Sequence, residues 1–148
     1  MITSSIGTQI IQIPTSWHDV PFERFINWMD CETALEQVSC LLDVSKDQLE
    51  RLNSESLASI MLATSFMSEL PDAYVAEENK VDIGKESYGK VEVAKAHLIA
   101  AEKPFKAMIP ILKVYTDVDY SKLPTTISYP LAAFFLNSYH DFLTSTSD

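Results

Sequence analysis

"IPTSWHDVPFERFINW", residues 13–28, decides how the rest of the chain is read. It holds both tryptophans, two prolines and a histidine, and it spells a helix start almost twice. Ser16 and Asp19 have the S-x-x-D spacing of a capping box, in which side chains three residues apart satisfy the free N–H groups of a first turn. Asp19 alternatively caps a helix opening at Pro21, where the missing proline N–H costs nothing. Phe22, Phe25, Ile26 and Met29 follow at i, i+3, i+4 and i+7, the spacing of an amphipathic helix with a bulky buried face. His18 and Asp19 are then turn and cap residues rather than a catalytic pair. Trp17 is expected inward, clasping the turn. Trp28 is expected at the rim of the helix face, where a tryptophan either seals a core or anchors an interface.

Upstream, "TQIIQI" (8–13) alternates as a short strand, with Ile11 and Ile13 on one face and Ile10 on the other, and Pro14 ends it. Residues 1–7 read as a loose start, and 144–148 as a fraying end. Downstream, 31–43 continues as a helix with Leu35, Val38, Leu41 and Leu42 inward. Ser45 caps a short helix anchored by Leu49 and Leu52, with Gln48 at the capping-box position. Ser54 opens a longer one, whose apolar face is Leu57, Ile60, Met61, Thr64, Met67 and Leu70, and Pro71 stops it. In 72–87 the periodicity breaks. Tyr74-Val75 and Val81-Asp82-Ile83 form either a small β-hairpin or an extended excursion, with Gly84 as the turn residue.

A helix from about 87 to 102 carries Tyr88, Val91, Leu98 and Ala101 on one side. Pro104 opens the next, with Phe105, Met108, Ile109, Leu112 and Tyr115, and Pro110 is expected to kink or split it. The last helix, "ISYPLAAFFLNSYHDFL", has Pro130 in its first turn and Leu131, Phe134, Phe135, Tyr139 and Phe142 along its apolar side. The fold class is therefore mainly α. The expectation is a single-domain helical bundle of five to seven helices over residues 1–148, with a short N-terminal strand and room for the small hairpin.

Composition narrows function by exclusion. The 148 residues are 47% hydrophobic and 22% charged, ordinary for one domain with a real core. Three glycines argue against both a turn-rich β fold and glycine-rich phosphate loops. The net charge is −10, and the excess lies wholly in residues 1–78, with 13 acids against 3 bases; residues 79–148 carry eight of each. Such a surface repels phosphates, so no nucleic-acid partner is expected. It either keeps the chain soluble or attracts a basic partner. No apolar run reaches membrane-spanning length, so no membrane is expected. Cys31 and Cys40, nine apart in a helical-looking stretch, fall on opposite sides of a helix and read as reduced core thiols.

The chain lacks a P-loop, a dinucleotide fingerprint, HExxH, CxxC and G-x-S-x-G. His18, His97 and His140 are scattered, without the ligand spacing zinc requires, and no metal or cofactor is expected. "DVDYS" (117–121) starts like a calcium loop, but Lys122 and Ser128 stand where glycine and glutamate are needed, leaving an Asp turn. Lys80, Lys85, Lys90 and Lys95 recur every five residues, which is no stripe on a helix. Phe134 and Phe135 are adjacent and point about 100° apart, so both are buried only if their helix is covered on two sides or meets another chain. With Tyr139, Trp17 and Trp28 they are the candidate interface residues.

Taken in order, these pieces resemble small helical proteins from the structural gene modules of tailed bacteriophages, of the tail-assembly-chaperone type. The likeness rests on "IPTSWHDVPFERF" as strand, Trp turn and helix start; on "CLLDVSKDQLERLNSESLASIMLATSFM" as long, short and long helix; on "VDIGKESYGKVEVAKAHL"; and on "ISYPLAAFFLNSY" with its Pro-x-x-x-Phe-Phe. It covers most of the chain and departs from the pattern at 72–87, where a regular two-stranded insert belongs. The resemblance implies a non-enzymatic protein that binds other phage structural proteins of the tail, baseplate or head-to-tail region, or its own copies. It implies residence in the virion or, during assembly, in the host bacterial cytoplasm. The alternative is an acidic regulatory or inhibitor module acting on a basic partner protein.

Overall fold

The chain begins with a hairpin, where a loose start was expected. Strand β1 (Ile2–Ile6) pairs antiparallel with β2 (Gln9–Ile13), in register from Ile2↔Ile13 to Ile6↔Gln9. The connection is two residues long, and Gly7 takes φ 61° at its first central position, where a type II′ turn calls for glycine. β1 escapes a search for hydrophobic alternation because four of its five residues are exposed on both faces. β2 behaves as its pattern predicts, with Ile11 and Ile13 buried and Ile10 outward. The structure, a computed structural model, describes residues 1–74 and 85–146, with side chains as far as residue 139. Tyr74 lies in irregular chain; the rest of the expected second hairpin, Val75, 81–83 and Gly84, lies outside the described residues, as do the side chains of His140 and Phe142.

Seven α-helices follow among the described residues, so the mainly α expectation holds. A 3-10 turn (Trp17–Asp19) leads into α1 (Phe22–Met29). The chain breaks at 30–33 and restarts as α2 (Ala34–Leu42), capped by Thr33, whose hydroxyl accepts from the Glu36 N–H at 3.2 Å. The expected helix at 31–43 is therefore shorter, and Cys31 stands in a connection. Asp43 ends α2 in the left-handed region, φ 53°, a conformation that aspartate tolerates better than most residues. In α3 (Lys46–Glu50), Ser45 and Gln48 form the full capping box. α4 (Ser54–Ala63) is capped one residue earlier than expected, by Asn53, whose Oδ1 accepts from the Ser56 N–H at 2.8 Å. It stops at Ala63; Thr64 then turns its hydroxyl back to the Ile60 carbonyl and a 3-10 turn follows, which leaves Leu70 exposed instead of on the core face.

α5 (Tyr88–Ala100) buries Val91 and Ala94 but exposes Tyr88, contrary to its expected place on the inner side. A 3-10 turn (Pro104–Ala107) precedes α6 (Met108–Tyr115). The helix expected from Pro104 is thus in two pieces, and Pro110 is the third residue of the second, where the N–H has no intrahelical partner to lose. α7 (Thr125–Thr146) starts well before Pro130, which is therefore interior and not in the first turn, and its helix extends through 144–146, expected to fray.

α7 starts early because its first residue is clamped. The Thr125 N–H and hydroxyl both donate to the Val20 carbonyl, at 2.8 and 2.6 Å, and the Phe22 N–H donates to the Leu123 carbonyl at 2.9 Å. Pro21 and Pro124 face each other in the antiparallel bridge between those bonds. A non-hydrogen-bonded pair asks neither residue for an N–H, so two prolines fit there at no loss. This clamp sets α1 against α7 and closes one core around Phe22, Phe25, Leu41, Leu49, Ile111, Leu112 and Tyr139.

Candidate functional site

The five aromatic residues singled out as interface candidates are mostly spent on that core. Trp17 is 7% exposed, Trp28 6%, Phe135 3% and Tyr139 0%; Phe134 alone stays half-buried. Trp17 is inward, as expected. Its ring meets Phe25, Trp28 and Phe66 edge-on at 5.1, 4.8 and 5.0 Å between centroids, and its Nε1 donates to the Glu69 carbonyl at 2.8 Å. Trp28 is not at the rim. Trp17 covers it from one side and Phe25 stacks on it from the other, at 5.7 Å, while its own Nε1 has no hydrogen-bond partner among the described residues. Phe135 stacks on Tyr115 at 4.9 Å, and Phe134 packs its edge against Phe135.

What the tryptophan turn does create is an open cleft of about 540 Å³ between residues 15–18, residues 63–72 and the start of α7. Trp17 and Phe66 supply its apolar lining, and Leu70 and Pro71 its edge; His18, Glu69 and Asp72 are its ionisable residues. His18 and Asp72 on the walls are both held by structural hydrogen bonds. His18 Nδ1 shares a 2.9 Å hydrogen bond with the Thr126 hydroxyl. Asp72 Oδ1 accepts from the Tyr74 N–H at 3.1 Å. Asp19 turns away from His18. It accepts from the Thr15 N–H and hydroxyl at 3.1 and 3.2 Å and lies 3.4 Å from the N-terminal amine. It caps neither the 3-10 turn nor α1, so both cap readings of Asp19 are corrected: the carboxylate ties the hairpin back to the Trp turn. The Thr15 N–H first, with the N-terminal charge behind it, holds its carboxyl below the usual range.

A few other charged groups have similar structural duties. Lys103 and Lys106 both reach Asp30, and Lys122 reaches Glu23 at 2.9 Å. Asp119 accepts from the Ser121 N–H and hydroxyl, the turn expected in place of a calcium loop. Burial pushes the Tyr115 hydroxyl up to about 12. Among the described residues no three His, Cys, Asp or Glu side chains cluster as metal ligands, and no helix is long and apolar enough to cross a membrane.

The cysteines overturn an expectation. Because the helix breaks at 30–33, Cys31 is not nine helical positions from Cys40. The Cys31 thiol donates to the Asn27 carbonyl at 3.4 Å and the Cys40 thiol to the Arg24 carbonyl at 3.5 Å. Both thiols therefore sit over the same side of α1, on carbonyls three residues apart. Spacing alone hid this, since it assumed one continuous helix. The Asp30–Lys103 and Asp30–Lys106 pairs at the break also carried no local signal.

Comparison with known protein families, with curated proteins and with solved structures returns no match.

Proposed function

We propose that this chain is a non-enzymatic protein-binding module that works in phage tail or virion assembly. The phage context comes from the sequence resemblance, and the binding role from the surface. The observation that carries the binding role is the apolar rim of the tryptophan cleft. Leu70, 58% exposed, stands at its edge, and Tyr74, 75% exposed, follows the Asp72 wall, to which its N–H is bonded. Large apolar side chains beside a concave, partly apolar surface are what a partner's apolar segment buries. The rim differs from the candidate aromatic set: the partner is met by Leu70 and Tyr74, with Trp17 lining the cleft beside them.

The test is co-expression with the tail, baseplate and head-to-tail proteins of the same phage genome. Stoichiometric co-purification with one of them, lost in a Leu70→Asp/Tyr74→Asp variant that keeps its melting temperature, supports the reading. Mass spectrometry of purified virions then separates a retained component from an assembly chaperone. Absence from virions together with no binding to any of these proteins sinks it.

The acidic first half favours one second reading, a regulatory module for a basic partner. Binding of that kind weakens steeply between low and high salt, whereas burial of the apolar rim does not.

A further inference from the structure

From the geometry of the α1–α2 corner we infer that Cys31 and Cys40 are a paired dithiol, a modification site that closes to an intramolecular disulfide by exchange with a low-molecular-weight disulfide. The placement rests on two anchors. Arg24 and Asn27 lie three residues apart on α1, so their carbonyl oxygens stand about 5 Å apart on one side of the helix. Each accepts from one thiol, at 3.5 Å for Cys40 and 3.4 Å for Cys31. The thiols are thus held over one turn of α1, on neighbouring carbonyls. Neither is fully buried. Cys31 sits in the short connection 30–33, whereas Cys40 is fixed within α2. A disulfide needs its two Cα atoms within about 4.4–6.8 Å of each other, so Cys31, outside the helices, is the partner that shifts on closure.

The order of events follows from the surroundings. Burial raises both thiols, Cys40 to about 12, so the reaction quickens at alkaline pH, and Cys31, which stands outside the helices, reacts first. The Cys31 thiolate attacks one sulfur of the small disulfide. A new S–S bond forms, the old one breaks, and one small thiolate leaves with the electron pair and takes up a proton. Cys40, losing its proton, then attacks the Cys31 sulfur of the mixed disulfide and expels the second small thiol. The protein is oxidised by two electrons and the small disulfide is reduced to two thiols.

The experiment uses the full chain treated with oxidised glutathione at mildly alkaline pH, followed by mass spectrometry without reductant. The expected product is the protein less two hydrogens, with Cys31 linked to Cys40 in the digest and full recovery on reduction. Cys40→Ser is expected to accumulate a glutathione adduct at Cys31. A wild-type chain that retains a stable glutathione adduct, or whose two thiols are both still alkylated after treatment, overturns the inference. The wild-type readouts stand whether or not the variant folds.

Discussion

Removing the Phe25 ring tests the architecture at its centre. Phe25 has no exposed surface. It is packed by Phe22 at 6.0 Å, Trp28 at 5.7 Å, Trp17 at 5.1 Å and Tyr129 at 5.1 Å, the last from α7. Truncation of a buried phenylalanine to alanine costs about 3–5 kcal/mol. Four aromatic neighbours, with edge-on and stacked contacts worth about 0.5–1.5 kcal/mol a pair beyond simple burial, put Phe25→Ala at the upper end. A domain stable by about 5–15 kcal/mol loses a large share of its margin. At about 2–4 °C per kcal/mol for a chain of this size, the melting temperature falls by about 6–20 °C.

Urea unfolding followed by tryptophan fluorescence is the direct assay, because Trp17 and Trp28 both touch the ring. Phe25→Leu is expected between wild type and Phe25→Ala. Tyr88→Ala, at a side chain 79% exposed, is the control and stays within about 0.5 kcal/mol. A Phe25→Ala loss below about 1 kcal/mol would show that the aromatic cluster does not hold α1 to α7, and the core described above would be wrong.

Three further outcomes follow from single contacts. Ser45→Ala removes one half of the capping box at α3 and is expected to cost about 1 kcal/mol in urea unfolding, with Lys46→Ala near zero. Thr125→Val keeps the shape of a fully buried side chain but deletes its hydroxyl donor to the Val20 carbonyl, for an expected loss of about 0.5–1.5 kcal/mol; an unchanged midpoint would remove the hydroxyl from the clamp. Asp19 is lowered in the folded state, so its contribution is present above the ordinary carboxylate pKa and disappears as the pH falls through the lowered value. Asp19→Asn should therefore unfold at lower temperature near neutral pH, with the gap to wild type closing in acid. A gap that is constant with pH would mean that the carboxylate's charge plays no part.

The sequence made the helices legible wherever a cap or a repeat of apolar residues was strong: Ser45 with Gln48, Phe22 through Met29, Val38 with Leu41 and Leu42. It was silent where structure depends on partners distant in the chain. β1 has no buried face of its own and is defined by pairing with β2. The start of α7 is set by Val20, more than a hundred residues away. The cysteine pair depended on a helix break at 30–33 with no proline or glycine to announce it. Of the cleft, Trp17 is legible as an inward residue, whereas the apolar repeat that begins at Leu57 puts Leu70 on a core face only if the helix runs on to Pro71. Thr64, bonding its hydroxyl back to Ile60 and ending the helix there, is what turns Leu70 outward.

Charge supplies the last constraint on function. Along the chain, the acids of the first half look like a field for a basic partner. In the fold, Lys103 and Lys106 from the second half lie against Asp30, and Lys122 lies against Glu23. These exposed pairs add little stability. They do bring second-half cations onto the acidic half, so the asymmetry in sequence overstates the asymmetry of the surface. A partner drawn mainly by charge meets a partly compensated face there, whereas the exposed Leu70 and Tyr74 at the cleft offer apolar surface. That contrast favours apolar contact over electrostatic capture. It also makes the salt dependence of binding the measurement that distinguishes the two readings most directly.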